Sequence, residues 1–426
     1  MVELSREYSD RVMYSERVVE VAWRRGSIEV NTADTTVYGL RVYRNGRWTI
    51  VSIQQRGGVD WSIAETRIRE LARLGGGGNN GSTGYIAVGE DCSGSYKIGS
   101  SSGVEGAVEL VEYIADKIGS GEIIFLSESV TRRIENDYTS CDEEKHFYEI
   151  IVYAEKDTGA ARSIGSSSTA FTGELNDAWR LVDNLVEEAT RRAEAGLRAR
   201  KLGLLETGKR TIILGYEASG ALFHELAHLL EGDQPGHLEV EGRVSTVSIN
   251  MYDDPAYPWS PATRFFDDEA VKAVRKPLVE DGEIVDLLHT RESAAEAILK
   301  GYDTLPGQAR GLFHRPKAMH TTLVVGPGDW RVRELIEESK NAILVDGIIR
   351  AELYGQTVTI VPETTWLVDR ELKEPVKIRA IRLPLIKALT TIDAMTRTSR
   401  LRYSYEKGHR VAEIAPMIRL QGVVET

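Results

Sequence analysis

Residues 216–233 contain the stretch YEASGALFHELAHLLEGD, and the fold and function of the chain are best approached from it. His224 and His228 stand four positions apart, so a helix would place both imidazoles on one face, close enough to bind one ion. Glu225 lies beside the first histidine, where a carboxylate can take a proton from a water molecule that zinc has made more acidic. The flanking residues are apolar, and burial makes three polar side chains costly unless they have a function. The motif therefore predicts a zinc site with Glu225 as the general base.

These residues do not identify the third zinc ligand. They also leave open that the His-Glu-x-x-His motif is a chance match. Short His-Glu-x-x-His patterns also occur in proteins that bind no metal. A catalytic zinc site usually has three protein ligands. Glu231 lies on the same side of the predicted helix as His228, and His314 and His320 lie in one segment that could line a cleft. His237 does not fit the spacing of the longer HExxHxxGxxH motif.

The chain divides into two parts of different sequence texture. Residues 1–205 combine β-branched, strand-like runs with amphipathic helical segments, which predicts an α/β domain. Residues 206–426 contain the short motif helix and many β-like runs separated by Gly, Pro and Asp, which predicts a β-rich domain. We therefore expect an α+β protein whose C-terminal domain carries a short metal-binding helix, with the two domains joined near 203–210.

Composition limits the partners that the protein can have. Its 53 Lys and Arg residues face 65 Asp and Glu residues, a formal balance of −12 that argues against direct nucleic-acid binding. The first residues lack the apolar run of a secretory signal, and no stretch has the roughly 18 apolar residues that span a bilayer. We therefore expect a soluble, cytoplasmic protein without a membrane partner. Two cysteines, Cys92 and Cys141, make a disulfide framework improbable and favour a reducing setting.

The stretch at 216–233 resembles the metal helix of the TldD/PmbA family, also described as modulators of DNA gyrase. The Leu-Glu-Gly-Asp tail behind the histidines is the most specific part of this likeness. Further segments that resemble the family are GLRVYRNGRWTIVS (39–52), FFDDEAVKAVRKPLVEDGEIVDLL (265–288), PETTWLVDRELKEPVK (362–377) and EKGHRVAEIAPMIRL (406–420). The resemblance implies a two-domain fold and a cytoplasmic zinc peptidase that acts on unfolded or short peptides, often as a dimer with a related, metal-free subunit.

The chain departs from the family pattern in two places. Well-known members carry HExxxH, one residue longer than the HExxH found in this sequence. The family also has a cysteine ligand shortly before its terminal Gly-containing turn, where this chain has Ser404. His409 is the nearest residue with a good zinc donor, and Glu406 is a fallback. The resemblance therefore implies His409 as the third zinc ligand.

Three functions remain in competition at this point. The first is a zinc-dependent peptidase, a homodimer or a heterodimer with a related subunit, that binds an extended peptide at an open sheet edge. The second is a degenerate, non-catalytic subunit or partner-binding protein of the same family, which the missing cysteine favours. Because a scaffold has no need of Glu225, we favour the enzyme. A nucleic-acid regulator rests only on the family's older name, and the acidic balance argues against it.

Overall fold

The computed structural model describes residues 3–44, 46–54, 61–74, 83–137, 139–203 and 206–426. The helices are α1 Trp61–Leu74, α2 Val104–Ile118, α3 Leu175–Trp179, α4 Val182–Arg198, α5 Tyr216–His228, α6 Arg291–Leu299, α7 Val332–Glu337 and α8 Leu385–Leu389. The strands are β1 Leu4–Ser5, β2 Glu7–Arg24, β3 Ser27–Arg44, β4 Arg47–Gln54, β5 Ile86–Ala87, β6 Gly94–Ile98, β7 Gly121–Asn136, β8 Ser140–Asp157, β9 Arg162–Thr172, β10 Arg200–Lys201, β11 Gly208–Leu214, β12 Met251–Asp253, β13 Lys276–Glu280, β14 Glu283–Ile284, β15 Ala309–Arg310, β16 Lys317–Ala318, β17 Thr322–Val325, β18 Ala342–Tyr354, β19 Thr357–Val368, β20 Leu372–Lys377, β21 Ala380–Pro384, β22 Ala394–Glu406 and β23 His409–Glu425.

The first large sheet has seven strands among the described residues, in the order β4-β3-β2-β7-β8-β6, with β9 also paired to β8. Its long strands are antiparallel, and β2 and β3 stay in register from Glu7 and Arg44 to the tight turn at Arg25 and Gly26. Helices α2 and α4 pack on one face of this sheet. Apolar side chains at helical spacing on α2, such as Leu110 and Ile114, are buried there in a common core with strand residues.

The second sheet has twelve strands among the described residues and is mixed. Strand β23 is its centre, since it pairs with β11, β17, β21 and β22. Helix α5 lies against β23, β18 and β22, and its apolar residues belong to the largest core of the molecule. The expected α+β fold, with a β-rich C-terminal part that carries a short helix, is confirmed.

The two sheets meet through polar contacts around the β22–β23 hairpin. The hydroxyls of Tyr403 and Tyr405 donate to the two oxygens of the Glu149 carboxylate at 2.9 and 2.8 Å. Arg410 donates to Glu128 at 2.5 Å. These bonds hold the tip of the hairpin against β7 and β8, which fixes the position of the residues that the tip presents to α5.

The proposed limit between residues 205 and 206 stays a prediction. Residues 204 and 205 lie outside the described residues. Just before them, Arg200 and Lys201 pair in parallel with Val376 and Lys377 of the second sheet. The connection between the two parts is therefore already bound to the C-terminal sheet before the expected boundary.

The two cysteines form a disulfide, which corrects the expectation of a chain without one. Strand β6 runs parallel to β8 with Gly94 opposite Cys141, and this pairing brings Cys92 within 6.1 Å of Cys141, measured between Cα atoms. Their separation of 49 residues hides this proximity in the sequence. In the part of the chain that the structure describes, no helix is long and apolar enough to cross a membrane.

Candidate metal centre

Two glycines allow α5 to lie close to its neighbouring strands. Gly215, before the first turn, donates its N–H to the Val345 carbonyl at 2.8 Å, and a Cβ on Gly215 would lie only 2.6 Å from that oxygen. In the middle of the helix, a Cβ on Gly220 would lie 3.2 Å from Arg402 Cδ and 3.4 Å from Glu413 Cβ. The helix is therefore held tightly against the β22–β23 hairpin, and its residues from Ala218 to Ala227 are buried.

The two motif histidines lie side by side, and each has one ring nitrogen already bound. The ring centroids of His224 and His228 are 4.8 Å apart. His224 Nδ1 donates to Glu413 Oε1 at 2.7 Å, and His228 Nδ1 donates to Glu231 Oε1 at 2.8 Å. A metal-binding histidine usually donates its other ring N–H to a carboxylate, which fixes the tautomer and the ring orientation. This arrangement leaves Nε2 of both rings available to a ligand.

Glu406, at the end of β22, completes a group of three ligand-type side chains. One donor atom each from His224, His228 and Glu406 lie within 4.8 Å of one another. Glu406 Oε2 is 3.9 Å from His224 Nε2, the nitrogen that Glu413 leaves free. His228 and Glu406 are only partly buried, so this group can be reached from outside. Two imidazoles and a carboxylate form a donor set that suits zinc.

A second group, formed by His224, His320 and Glu413, also has its donor atoms within 4.8 Å. All three residues are buried, and Glu413 is hydrogen-bonded to both rings, while His320 Nδ1 has no hydrogen-bond partner. Glu413 Oε1 accepts from His224 and from His320 Nε2, the latter at 3.3 Å, and Glu413 Oε2 accepts from Arg402 at 2.6 Å. Burial raises the pKa of Glu413, but Arg402 and His224 outweigh it and hold the pKa well below its usual range. Burial lowers the pKa of His320 to about 4, so this ring is neutral near pH 7.

Glu225 is nearly buried, at 8% exposed, next to the two histidines. Burial raises the pKa of its carboxyl group above the usual value, although His224, His228 and a hydrogen bond from the Leu353 backbone oppose this rise. A raised pKa brings a carboxyl group closer to the pH range in which general bases are effective. In this position Glu225 can accept a proton from a water molecule near the metal group and return it.

His409, expected as the third ligand, is not brought to the two helix histidines. It belongs to neither group, and its ring lies 6.2 Å from that of His314, between centroids. Burial lowers the pKa of His409 to about 4. The structure also places the two other candidates for the third ligand. Glu231 accepts the hydrogen bond from His228 Nδ1, and His314 Nδ1 donates to the Arg315 carbonyl.

Sequence reasoning gave Glu406 only as a fallback and missed Glu413. Both side chains come from the β22–β23 hairpin, far from the motif in sequence. Glu413 had one visible signal, because it is the only charged residue in the run Val411–Met417 of β23. A carboxylate inside such a buried strand requires bound partners.

The part of the chain that carries this site matches a known protein family. Residues 207–424 match the family model described as the PmbA/TldA metallopeptidase C-terminal domain. A protein of Methanocaldococcus jannaschii named metalloprotease is 26% identical over 238 residues, which are 53% of this chain and 52% of that protein. A Synechocystis protein, also named metalloprotease, is 28% identical over 225 residues, 50% of this chain and 47% of that one. The match thus spans about half the length of these curated relatives.

The fold as a whole is also known. The crystal structure of TldE from Thermococcus kodakarensis superposes with a TM-score of 0.77 and covers 98% of this chain and 96% of its own. The sequence identity is 15%, so this likeness concerns the fold.

Proposed function

The chain belongs to the PmbA/TldD metallopeptidase family, and from this premise we propose that it is a zinc-dependent peptidase that hydrolyses unfolded or short peptides. One observation carries the proposal. Both motif histidines have Nδ1 bound to a carboxylate, while Nε2 of His224 faces the partly exposed carboxylate of Glu406. Buried hydrogen bonds of this kind orient imidazoles for a metal ion.

We assign His224, His228 and Glu406 as the zinc ligands, with Glu406 in the place that the sequence suggested for His409. The buried group around His320 supplies orientation instead, since the Glu413 carboxylate already accepts from His224, His320 and Arg402. Glu413 holds the ring of His224, and Glu231 holds the ring of His228. Three protein ligands leave one position for water or substrate, as in other catalytic zinc sites.

Zinc held there would act as a Lewis acid that polarises the scissile carbonyl and makes a nearby water molecule more acidic. Glu225 takes the proton from the water molecule that attacks the carbonyl carbon. It later gives this proton to the amine that leaves. The apolar surroundings of α5 restrict access of bulk water to this carboxylate, which strengthens its electrostatic interactions.

An extended peptide is the substrate that the hairpin can accept. Strand β22 pairs with β23 on one side, and among the described residues its other side makes one isolated bridge, between Trp330 and Thr396. A peptide that adds along this edge beyond Thr396 would run towards Glu406, at the end of the strand. Main-chain hydrogen bonds would give such a peptide affinity without a required sequence. Folded proteins would then be poor substrates, because their strands are already paired.

A dimer, with a second copy or with a related subunit, remains part of the proposal, as does a cytoplasmic location. Light scattering at micromolar concentration tests the first, and a monomer would contradict it. A non-catalytic subunit of the same family is the alternative function, because the family's cysteine ligand is absent from the hairpin.

Metal analysis combined with peptide hydrolysis separates these two functions. We expect about one zinc per chain in the wild-type protein and cleavage of an unstructured peptide. His224→Ala should lose both, because it belongs to both ligand groups. His237→Ala is the matched control, since this ring only donates to the Leu238 carbonyl and should keep both properties. Wild-type protein that holds zinc but cleaves no unstructured peptide would favour the non-catalytic subunit, and protein that takes up no zinc would refute the metal site.

A further inference from the structure

A cavity of about 400 Å³ lies between the tip of the β22–β23 hairpin and the first sheet. Tyr405 and Lys407 line it, and the residue between them in the chain is Glu406, the proposed zinc ligand. His409, which pairs with Glu406 across the hairpin, lines the cavity as well. A peptide bound at the metal therefore has this cavity within reach of its neighbouring residues.

The lining of the cavity has five cationic and four acidic side chains, namely Arg132, Lys145, Arg264, Lys407 and Arg410 against Glu16, Glu128, Glu143 and Asp268. Glu128 is bound to Arg410, which leaves Glu143 and Asp268 as the carboxylates that face the other buried cations. Arg132 binds both Glu143, at 3.0 Å, and Asp268. The same two carboxylates form further ion pairs. Lys145 is 3.5 Å from Glu143, and Arg264 is 3.0 Å from Asp268. These three cations and two carboxylates line the cavity and are buried. In direct contact, three cations thus share two carboxylates, and one positive charge is left over.

Lys145 and Arg264 both have a lowered pKa, to which the neighbouring cations contribute. Burial lowers the pKa of Lys145 to about 8; Glu143 raises it, and Arg264 and Arg132 lower it further. Burial also lowers the pKa of Arg264. Asp268 raises this pKa, and Arg132 lowers it. Behind them lies Arg310, completely buried, with Nε and one terminal nitrogen that have no hydrogen-bond partner. Buried cations without a full counter-charge are costly, and an anion that enters the cavity would relieve this cost.

The remaining walls suit a side chain or chain end that carries a charge on an apolar stem. Phe147, Leu312 and Phe313 line the cavity together with the charged residues. The Nε atoms of Arg132 and Arg264 are buried and have no hydrogen-bond partner. Guanidinium and ammonium groups bind carboxylates through short, charge-assisted hydrogen bonds.

We propose that this cavity is a substrate subsite for a carboxylate of the peptide, bound by Lys145 and Arg264. The inference rests on the proposed peptidase function and adds a substrate class to it, peptides that carry a negative charge near the scissile bond. Two sources of the carboxylate share this chemistry: the C-terminus of the peptide and an acidic side chain.

Four peptides of one unstructured sequence test the subsite and separate the two sources. They combine Gln or Glu at the last position with an amidated or a free C-terminus. Their affinities are measured by fluorescence anisotropy on the full-length Glu225→Gln protein loaded with zinc, so that binding is observed without cleavage. Their kcat/KM values are measured on the wild-type protein. We expect at least one carboxylate peptide to exceed the neutral Gln amide by about tenfold or more in both measurements, as one charge-assisted hydrogen bond allows.

Lys145→Gln and Arg264→Gln should each bring this ratio close to one. Lys97→Gln is the matched control, because exposed Lys97 binds Glu144, the neighbour of Lys145 on β8, outside the cavity. It should keep the wild-type ratio. Thermal denaturation identifies a variant that fails to fold. In that case the ratio measured on the other cavity variant tests the subsite. A preference for the free C-terminus over the amide assigns the chain end, and a preference for Glu over Gln assigns the side chain.

Equal affinity for all four peptides would overturn the subsite, as would a ratio that both cavity variants retain. The two measurements keep this proposal apart from the proposed function. Cleavage of all four peptides at equal rates refutes the subsite and leaves the peptidase in place. Binding that favours the carboxylate peptides, without cleavage of any, refutes the peptidase and supports the subsite.

Discussion

Two groups of ligand-type residues share His224, and they differ in how their donor atoms are used. In the inner group, His320 and Glu413 are wholly buried, and the Glu413 carboxylate accepts three hydrogen bonds. In the outer group, the side chains of His228 and Glu406 are 22% and 24% exposed. An ion held between His224 Nδ1, His320 Nε2 and Glu413 would have to replace the hydrogen bonds that join these atoms. His320 Nδ1, on the other side of the ring, is buried and has no hydrogen-bond partner. The outer group keeps free nitrogen atoms that point to a carboxylate.

The difference shows how one helix can hold an ion firmly with side chains that remain accessible. The inner group fixes His224 through the buried carboxylate of Glu413, which Arg402 also binds. In the outer group, hydrogen bonds to Glu413 and Glu231 orient the two rings, and the partly exposed side chains can be reached from solvent. Proximity alone therefore does not identify a metal site, since both groups have donor atoms within the same 4.8 Å. The hydrogen bonds that already occupy these atoms make the distinction.

The largest expected effect is on zinc content when the two groups are disrupted separately. His228→Ala removes a ligand from the outer group only, and His320→Ala removes a member of the inner group only. We expect His228→Ala to lose nearly all bound zinc after dialysis, because two remaining ligands hold zinc poorly. His320→Ala should keep about one zinc per chain, measured by mass spectrometry of the metal. The reverse pattern would place the ion in the inner group.

Removal of the general base should cost less than removal of the metal. Glu225→Gln keeps the shape of the side chain but cannot take a proton, so we expect kcat for peptide hydrolysis to fall by about 10²–10⁴. Zinc content should stay at the wild-type value. Glu239→Gln, an exposed change shortly after the motif helix, should keep normal turnover. Wild-type kcat in the Glu225→Gln protein would exclude Glu225 as the base.

A weaker effect is expected from the carboxylate that orients His228. Glu231 is buried and touches the ring only through Nδ1. Glu231→Ala should weaken zinc binding by about 10–100-fold, as the loss of such a supporting bond does in other metal sites. Competition with a chromophoric chelator measures this change. Asp233→Asn is the control, because Asp233 accepts from the Ala318 backbone and binds neither motif histidine. Unchanged zinc affinity in Glu231→Ala would show that the outer ring needs no such support.

The sequence predicted those parts of the site that depend on local geometry. The spacing of His224, Glu225 and His228 is a property of one helix, and a helix of three turns is present. Glu406 and Glu413 come from a hairpin whose position depends on how β23 pairs with four other strands. No local sequence pattern predicts which strands β23 pairs with. The disulfide between Cys92 and Cys141 escaped for the same reason, since it depends on the parallel pairing of β6 and β8.

The charged cavity shows a further limit of sequence reasoning. Arg132 and Lys145 lie on neighbouring strands of the first sheet, and Arg264 lies in a loop that follows the motif helix. The formal balance of −12 counts the whole chain and does not show where three buried cations contact only two carboxylates. Net charge thus argues against a nucleic-acid partner, which stays a prediction, and gives no information about the substrate.

The smallest expected effect separates two residues that the hairpin places opposite each other. Glu406 and His409 pair across the turn at Lys407 and Gly408, so their side chains leave the same face of the hairpin. The resemblance led to this turn but could not choose between them. Only Glu406 reaches the helix histidines, whereas His409 faces the cavity beside His314.

His409→Ala should therefore leave zinc affinity within about twofold of wild type, whereas Glu406→Ala should weaken it by far more, because it removes one of three ligands. Both variants are measured by the same chelator competition, at a pH near 7.5. Burial keeps the imidazole of His409 neutral at that pH, so a protonated ring cannot be the reason for a missing metal bond. If His409→Ala lost the metal and Glu406→Ala retained it, the ligand would be His409, and the hairpin tip would have to turn towards α5 when zinc binds. Because Tyr405 and Arg410 tie this tip to Glu149 and Glu128, such a turn would break charged hydrogen bonds, and we expect Glu406 to be the ligand.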